Sequence, residues 1–207
     1  VTMAIRHAEQ DEAARIGQYA FMAQLFFSSR EVKDPANPAL VDDLEALLAA
    51  CRPETVYTHN PADKHDTHVA VTMATVEALR RLPREKRPRR LLGGEVWRDL
   101  DWLPDAEKVA LDVSGRDHLA MALMGVFDSQ IAGGKRYDLA TMGRRRAHAT
   151  YAESHGVDTA DSLAYAMDLT PLLEDDSLPV AELVGGLIRR FEAEVRGRLG
   201  ARGGRRE

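Results

Sequence analysis

The residue types best suited to chemistry lie in one short segment, from His59 to His68. Its ten residues include three histidines and two aspartates, and His65 and His68 are three positions apart. If His68 falls in the first turn of a helix, this spacing lets both imidazoles face the same pocket. Imidazole and carboxylate suit zinc or another divalent ion, and a neighbouring histidine can transfer a proton or stabilise an oxyanion. A polar loop that happens to hold histidines would show the same spacing.

Four further side chains could contact a substrate from loops or strand ends: Asn60, Glu95, Arg98 and His155. Arg98 could bind a carboxylate or a phosphate, although exposed arginines at strand ends are also common. Asp158 could orient the imidazole of His155, and the alternative is that both belong to an ordinary surface turn. Glu95 follows Gly93-Gly94. Two adjacent glycines indicate either that a substrate or another backbone approaches closely, or that the chain forms a bulge or a turn.

The apolar pattern predicts the elements that position these side chains. Helical spacing of apolar residues predicts helices over 3–17, 38–51, 69–82 with Asp66 or Thr67 as the cap, 116–131, 138–153 and 179–199. Apolar and β-branched runs predict strands over 20–29, 55–58, 91–97, 108–113 and 162–169. This alternation is typical of an α/β fold with a mostly parallel sheet and helices on both faces. In such sheets, ligands bind beyond the carboxyl ends of strands, where the histidine segment lies.

Length and composition exclude several classes of protein. The 207 residues are 44% hydrophobic and 29% charged, which excludes a collagen-like or wholly disordered chain. The alternation of predicted strands and helices indicates one α/β domain over 1–199, followed by a flexible basic tail over 200–207. The sequence contains no run of 18 apolar residues, so it predicts no transmembrane helix. The net charge of −5 argues against nucleic-acid binding. The single cysteine, Cys51, excludes an internal disulfide and favours a reducing cytoplasm.

The histidine segment resembles the second metal motif of the PIG-L/LmbE-like deacetylases, usually written His-Pro-Asp-His after a strand. Asp66 and Thr67 stand where that motif has Pro and Asp. Three other segments resemble the family in the same order: Arg6-x-x-Glu9-Gln10-x-x-Ala13-Ala14-x-x-Gly17, Gly94-Glu95-Val96-Trp97 through Val109-x-Leu111-Asp112-Val113, and Ser129-Gln130. The resemblance extends over about residues 3 to 170.

The resemblance implies a Rossmann-like α/β fold and a zinc-dependent hydrolase. Members of the family remove an N-acyl group, typically acetyl, from an N-acetylated amino sugar or glycoconjugate. His68 matches the last histidine of the motif, which binds the metal. His65 matches the earlier histidine, which lies near the oxyanion. Together with His65, we take Asp63 as a candidate catalytic residue.

The family's first metal motif, Ala-His-Pro-Asp-Asp, has no counterpart in this sequence. In the family it ends the first strand and supplies two of the three metal ligands and a catalytic aspartate. We therefore expect either a truncated chain without its first strand or a diverged member without the usual site. Two functions stay open: a zinc-dependent N-deacetylase, and a non-catalytic binding or assembly module of the same fold. If other residues of this chain replace the motif, Asp63, His59 and His155 are the candidates.

A sheet that lacks its first strand has an edge with unpaired backbone groups, which favours pairing with another copy. We therefore expect a homo-oligomer. The other expected partner is a small N-acetylated sugar.

Overall fold

The computed structural model describes residues 2–203 and divides into two compact units. The first unit comprises the residues up to Phe26 together with Leu111–Ala164. The second comprises Phe27–Ala110 together with the residues from Tyr165 onward. The histidine segment belongs to the second unit, whereas His155 belongs to the first.

Within residues 2–203, four strands form one sheet in the order β1-β2-β4-β3. Their bounds are β1 Thr55–His59, β2 Arg90–Gly94, β3 Lys108–Asp112 and β4 Leu163–Asp168. β1 and β2 are parallel, with Thr55 opposite Arg90 and His59 opposite Gly94, whereas β2 and β4 are antiparallel. The predicted α/β class is confirmed, with a sheet that begins parallel and becomes mixed at β4.

Helices account for most of the remaining elements. They are α1 Thr2–Ile16, α2 Ser29–Val32, α3 Ala39–Cys51, α4 Asp66–Arg81, α5 Asp117–Gly125, α6 Asp128–Ile131, α7 Tyr137–Tyr151, α8 Pro171–Glu174 and α9 Val180–Gly203. Short 3-10 turns lie at Arg84–Lys86 and Asp105–Glu107. The helix predicted over 116–131 is divided into α5 and α6. Of the predicted tail, residues 200–203 continue α9, and residues 204–207 lie outside the described part of the chain. No helix within residues 2–203 has the length and hydropathy needed to cross a bilayer.

The core of the second unit forms around β2, β4 and α4. Leu79 of α4, Leu91 and Leu92 of β2 and Met167 of β4 are all completely buried. The buried face of α4 also carries Thr72, whose hydroxyl donates to the carbonyl oxygens of His59 and His68. The bond to His59 holds the first turns of α4 against the end of β1, whereas the bond to His68 lies within α4. The buried hydroxyl is thereby satisfied.

The first unit is mainly helical. Helix α1 contacts α5 and α6, and α7 contacts the same two helices. Glu9 of α1 accepts hydrogen bonds from the backbone N–H and the hydroxyl of Ser129, both at 2.7 Å. This carboxylate therefore joins α1 to the first turn of α6.

The strand predicted over 20–29 is wrong. Residues 20–28 carry no regular secondary structure, and Phe26 has a left-handed φ of 60°. Gln24 instead ties the segment to α1, because its Nε2 donates to the carbonyl of His7 and to Asp11 Oδ1. An apolar run favours a strand only where another strand supplies hydrogen-bonding partners, and no strand among residues 2–203 does so here.

Candidate functional site

The histidine segment forms the loop between β1 and α4. β1 ends at His59, and the next residue, Asn60, is completely buried. The backbone N–H and the Nδ2 of Asn60 both donate to the carbonyl oxygen of Gly94, at 3.0 and 3.1 Å. A Cβ on Gly93 would lie 3.0 Å from the Cα of Asn60, so glycine is needed for this close approach. Of the two interpretations of Gly93-Gly94, the structure shows close approach of another backbone.

Asp63 is the structural centre of this loop. Its side chain is fully buried. Oδ1 accepts from the backbone N–H of His65 at 3.1 Å, and Oδ2 accepts from the backbone N–H of Trp97 at 3.1 Å. Oδ2 also lies 3.3 Å from Nδ1 of His68. Burial by itself raises the pKa of Asp63, but the hydrogen bonds from His68, Trp97 and His65 outweigh it and hold the pKa below its ordinary value.

The contact with Asp63 fixes the imidazole of His68. An ionised carboxylate only accepts hydrogen bonds, so Nδ1 of His68 carries the proton that lies between them. In the uncharged form of the ring, Nε2 then keeps its lone pair. Histidines that bind metals have this arrangement, with the second nitrogen donating to a carboxylate or a carbonyl. His68 is therefore oriented as a ligand or a hydrogen-bond acceptor through Nε2, and 19% of its side chain is exposed.

The aromatic rings of the site form a column. The ring of His68 stacks on that of His59, with centroids 3.9 Å apart and planes inclined by 5°. The ring of His65 also stacks on that of His68, with centroids 4.5 Å apart and planes inclined by 24°, and the ring of Trp97 lies 6.2 Å from that of His65 at 25°. His65 is exposed, whereas Trp97 is partly buried. The spacing of His65 and His68 thus brings the two rings face to face.

His59 is neutral in this column. Burial, and after it the positive charge that His68 carries when protonated, lower the pKa of His59 to about 4, while Asp63 acts in the opposite sense. His65 adds a smaller lowering effect. At neutral pH the His59 imidazole is therefore uncharged, which suits its stacking against a second imidazole.

The stacked geometry decides how many of these histidines one metal ion can bind. A metal bound to imidazole nitrogen lies near the plane of the ring, about 2.1 Å from the nitrogen. The nearly parallel planes of His59 and His68 do not converge on a common point at that distance. No group of three or more His, Cys, Asp or Glu side chains within residues 2–203 is arranged to hold a metal ion. The described residues supply one oriented imidazole, His68, and do not fit a complete zinc site.

Glu95 lies after β2 and is held by backbone groups. Oε1 of Glu95 accepts from the backbone N–H of Tyr165 at 3.0 Å, and Oε2 accepts from that of Leu100 at 3.2 Å. Both oxygens therefore position the loop that carries Trp97. Arg98 follows Trp97 and is exposed.

His155 lies in an exposed loop of the first unit. Asp158, its predicted orienting partner, accepts instead from the hydroxyl of Thr150 at 3.1 Å.

Sequence reasoning missed the role of Trp97. Its backbone N–H binds Asp63 across 34 positions of sequence, and its ring ends the aromatic column. One signal was available, because Trp97 follows β2 by three residues and β2 pairs in parallel with β1. Loops at the carboxyl ends of adjacent parallel strands lie side by side.

Comparison with known proteins confirms the resemblance for one part of the chain. Residues 2–79 match the model of the PIG-L family, GlcNAc-PI de-N-acetylase. This stretch contains α1, β1, the histidine loop and most of α4. Among solved structures, the chain is similar to the conserved protein TT1542 from Thermus thermophilus, with a TM-score of 0.59 and 22% identity. The match covers 85% of this chain and 78% of that one, and it shows the fold. A comparison with curated proteins found no match.

Proposed function

We propose that this chain is an amide hydrolase of the N-deacetylase type, which removes an acetyl group from an amino sugar or glycoconjugate with a zinc ion of whose ligands the described residues supply His68 alone. The observation that carries the proposal is the pair formed by Asp63 and His68 within the part that matches the family. A buried carboxylate that orients an imidazole is typical of metal sites. The proposed location is the cytoplasm, for which the single cysteine is the support.

The proposed roles follow from the contacts of each side chain. His68 offers Nε2 as one zinc ligand, while Asp63 orients it. Hydrogen bonds within the chain already occupy both oxygens of Asp63, which favours positioning over direct proton transfer. His65 is exposed and its backbone is fixed by Asp63, so its ring can donate to the oxygen of a substrate carbonyl.

The other four candidate substrate-binding residues differ in the role that their contacts support. Arg98 is exposed and could bind an anionic group of the substrate. Asn60 and Glu95 are engaged by backbone groups, which supports an indirect role in shaping the loops. His155 stays a prediction.

The experiment measures bound zinc and hydrolysis of an N-acetylglucosamine derivative in the same preparations. We expect His68→Ala to bind less zinc than the unsubstituted chain, and His65→Ala to bind as much zinc as the unsubstituted chain but to lose roughly a hundredfold or more in rate, as for one oxyanion donor. His118→Ala is the matched control, because His118 is an exposed histidine of α5. Full zinc content in His68→Ala would contradict the assignment of this ligand.

The second candidate is a non-catalytic binding or assembly module of the same fold. It is favoured by the finding that no three-ligand metal group exists within residues 2–203. A zinc site needs about three protein ligands in fixed geometry. Binding of the sugar derivative without turnover, in the presence of excess zinc, would support the module over the enzyme.

A further inference from the structure

A groove of the second unit lies between α4 and α9 and has a volume of about 600 Å³. Pockets that bind small molecules commonly have volumes of about 300–1,000 Å³ and mainly apolar walls. The apolar walls of this groove include Val69, Met73, Val76, Val180, Val184 and Ile188. Val76 and Val180 are buried, whereas Met73 is 47% exposed and Ile188 50%. The groove thus has a buried apolar base and a rim that a bound molecule would cover.

Arg80 lines the same groove with a guanidinium that backbone carbonyls hold in place. Its Nε donates to the carbonyl oxygen of Leu172 at 2.9 Å, and its Nη2 donates to those of Asp175 and Leu178 at 3.2 and 2.7 Å. Nη1 has no acceptor within residues 2–203, yet it is not buried. A planar guanidinium that is fixed through two nitrogens and offers the N–H groups of the third is suited to binding a carboxylate.

The guanidinium of Arg80 forms no salt bridge with a carboxylate of the described residues. Asp175 and Asp176 lie near it, but they have other partners. Asp175 accepts from the hydroxyl of Ser177 at 2.6 Å, and Asp176 pairs with Arg87 at 2.5 Å. The positive charge of Arg80 is therefore available to the carboxylate of a ligand.

Glu77 brings a negative charge to the groove, one helical turn before Arg80. Its Oε1 accepts from Nε of Arg81 at 3.2 Å, and its side chain is 57% exposed. Water and the guanidinium of Arg81 therefore screen this charge. An ammonium ligand would pair with Glu77 and a carboxylate ligand with Arg80, so the charge preference of the groove distinguishes the two.

Gly185 lies inside α9 and lines the groove. A glycine inside a helix lowers its stability relative to alanine. If Gly185 carried a Cβ, the three nearest atoms would belong to the guanidinium of Arg189, at 3.2 to 3.9 Å. Packing within the chain therefore does not require glycine here, because the end of a long side chain moves easily. The absent side chain leaves space in the groove for a bound molecule.

We propose that the groove binds a molecule with a carboxylate and an unbranched apolar tail, such as a medium-chain fatty acid. Nη1 of Arg80 pairs with the carboxylate, and the tail lies along the walls of valine, methionine and isoleucine. Each CH₂ group of the tail that leaves water should tighten binding up to about fourfold. The proposal is independent of the proposed hydrolysis, because it requires neither zinc nor the imidazole of His68.

Isothermal titration calorimetry of the whole chain with octanoate measures this binding. Octylammonium has a tail of the same length and the opposite charge, and hexanoate has the same charge and a tail shorter by two CH₂ groups. We expect octanoate to bind about tenfold more tightly than either comparison ligand. A Kd for octanoate above about 1 mM would overturn the proposal, and so would equal affinity for octanoate and either comparison ligand.

Substitutions on α9 locate the bound ligand. Gly185→Leu fills the groove from its α9 wall, and we expect it to weaken octanoate binding about tenfold or more. Gly197→Leu is the matched control, because the Cβ position of Gly197 lies in open space on the same helix. Both changes replace a helix glycine with a strong helix former, so both variants should fold, which circular dichroism checks. Unchanged binding in Gly185→Leu, or an equal loss in Gly197→Leu, would overturn the proposal.

Arg80→Met keeps an apolar side chain on the wall and removes the cation. We expect it to weaken octanoate binding about tenfold or more and to leave octylammonium binding no weaker. Arg87→Met is the matched control, since Arg87 also donates to a backbone carbonyl of α8, that of Leu173, but does not line this groove. Octanoate binding that is unchanged in Arg80→Met, or equally weakened in folded Arg87→Met, would contradict the role of Arg80 and overturn the proposal.

Discussion

Asp63 Oδ2 lies 3.3 Å from Nδ1 of His68 and simultaneously accepts the backbone N–H of Trp97. One buried carboxylate oxygen thereby connects the start of α4 with the loop after β2. Its second oxygen holds the backbone of His65. The orientation of the candidate ligand and the shape of the loop therefore depend on the same side chain.

We predict that Asp63→Asn destabilises the protein. The amide nitrogen cannot accept a hydrogen bond, so at least one of the three donors loses its partner in a buried site. The expected decrease in the free energy of unfolding is about 1–3 kcal/mol, measured by urea denaturation. Asp43→Asn, an exposed aspartate of α3, is the control and should change stability by less than about 0.5 kcal/mol. Equal stability of both variants would contradict the central role of Asp63.

We predict that the two glycines of β2 differ in their tolerance of a methyl group. In Gly93→Ala the Cβ would lie 3.0 Å from both Asn60 Cα and Leu169 Cδ1, so the backbone of the loop must move. Overpacking of this kind costs about 1–3 kcal/mol. In Gly94→Ala the nearest atom is the carbonyl oxygen of Thr58 at 3.6 Å, an ordinary contact. Thermal unfolding should therefore show a lower Tm for Gly93→Ala than for Gly94→Ala.

We predict that Arg87 stabilises the second unit far more than Arg89. The Arg87 side chain is 7% exposed and donates to the carbonyls of Leu82, Leu173 and Arg80, and to Asp176. Arg87→Ala leaves these carbonyls without that donor, and each one that stays buried and unpaired costs about 1–3 kcal/mol.

Arg89 provides the comparison for this prediction. Its side chain is 83% exposed and pairs with Glu54 on the surface. Arg89→Ala should change the free energy of unfolding by less than about 1 kcal/mol. Urea denaturation of both variants measures the difference, and a similar loss in each would contradict the prediction.

We predict that only one of the two stacked histidines contributes to zinc binding. The planes of His59 and His68 differ by 5° at 3.9 Å, so one ion cannot lie in both. Isothermal titration with zinc should show weaker binding for His68→Ala than for the unsubstituted chain. His59→Gln should bind zinc as the unsubstituted chain does. Loss of zinc binding in His59→Gln alone would show that the column rearranges around the metal.

The helices could be predicted from the sequence because their signals are local. The apolar periodicity of α3 and α4 depends on residues within a few positions of one another. The same is true of the start of α3, which directly follows Pro38. The run over 20–29 had an equally apolar composition, yet it forms no strand. A strand needs a partner that is distant in sequence, and composition does not reveal whether that partner is present.

The candidate site was determined in part by the sequence alone. The spacing of His65 and His68 placed both rings at one end of β1, because three residues span about one helical turn. Only the tertiary structure decided that these rings stack, and that Asp63 joins His68 to the backbone of Trp97, 34 residues away. The physical reason is that a buried carboxylate takes its partners from whichever donors packing brings within reach. That choice depends on the register of β1 with β2, which no local pattern specifies.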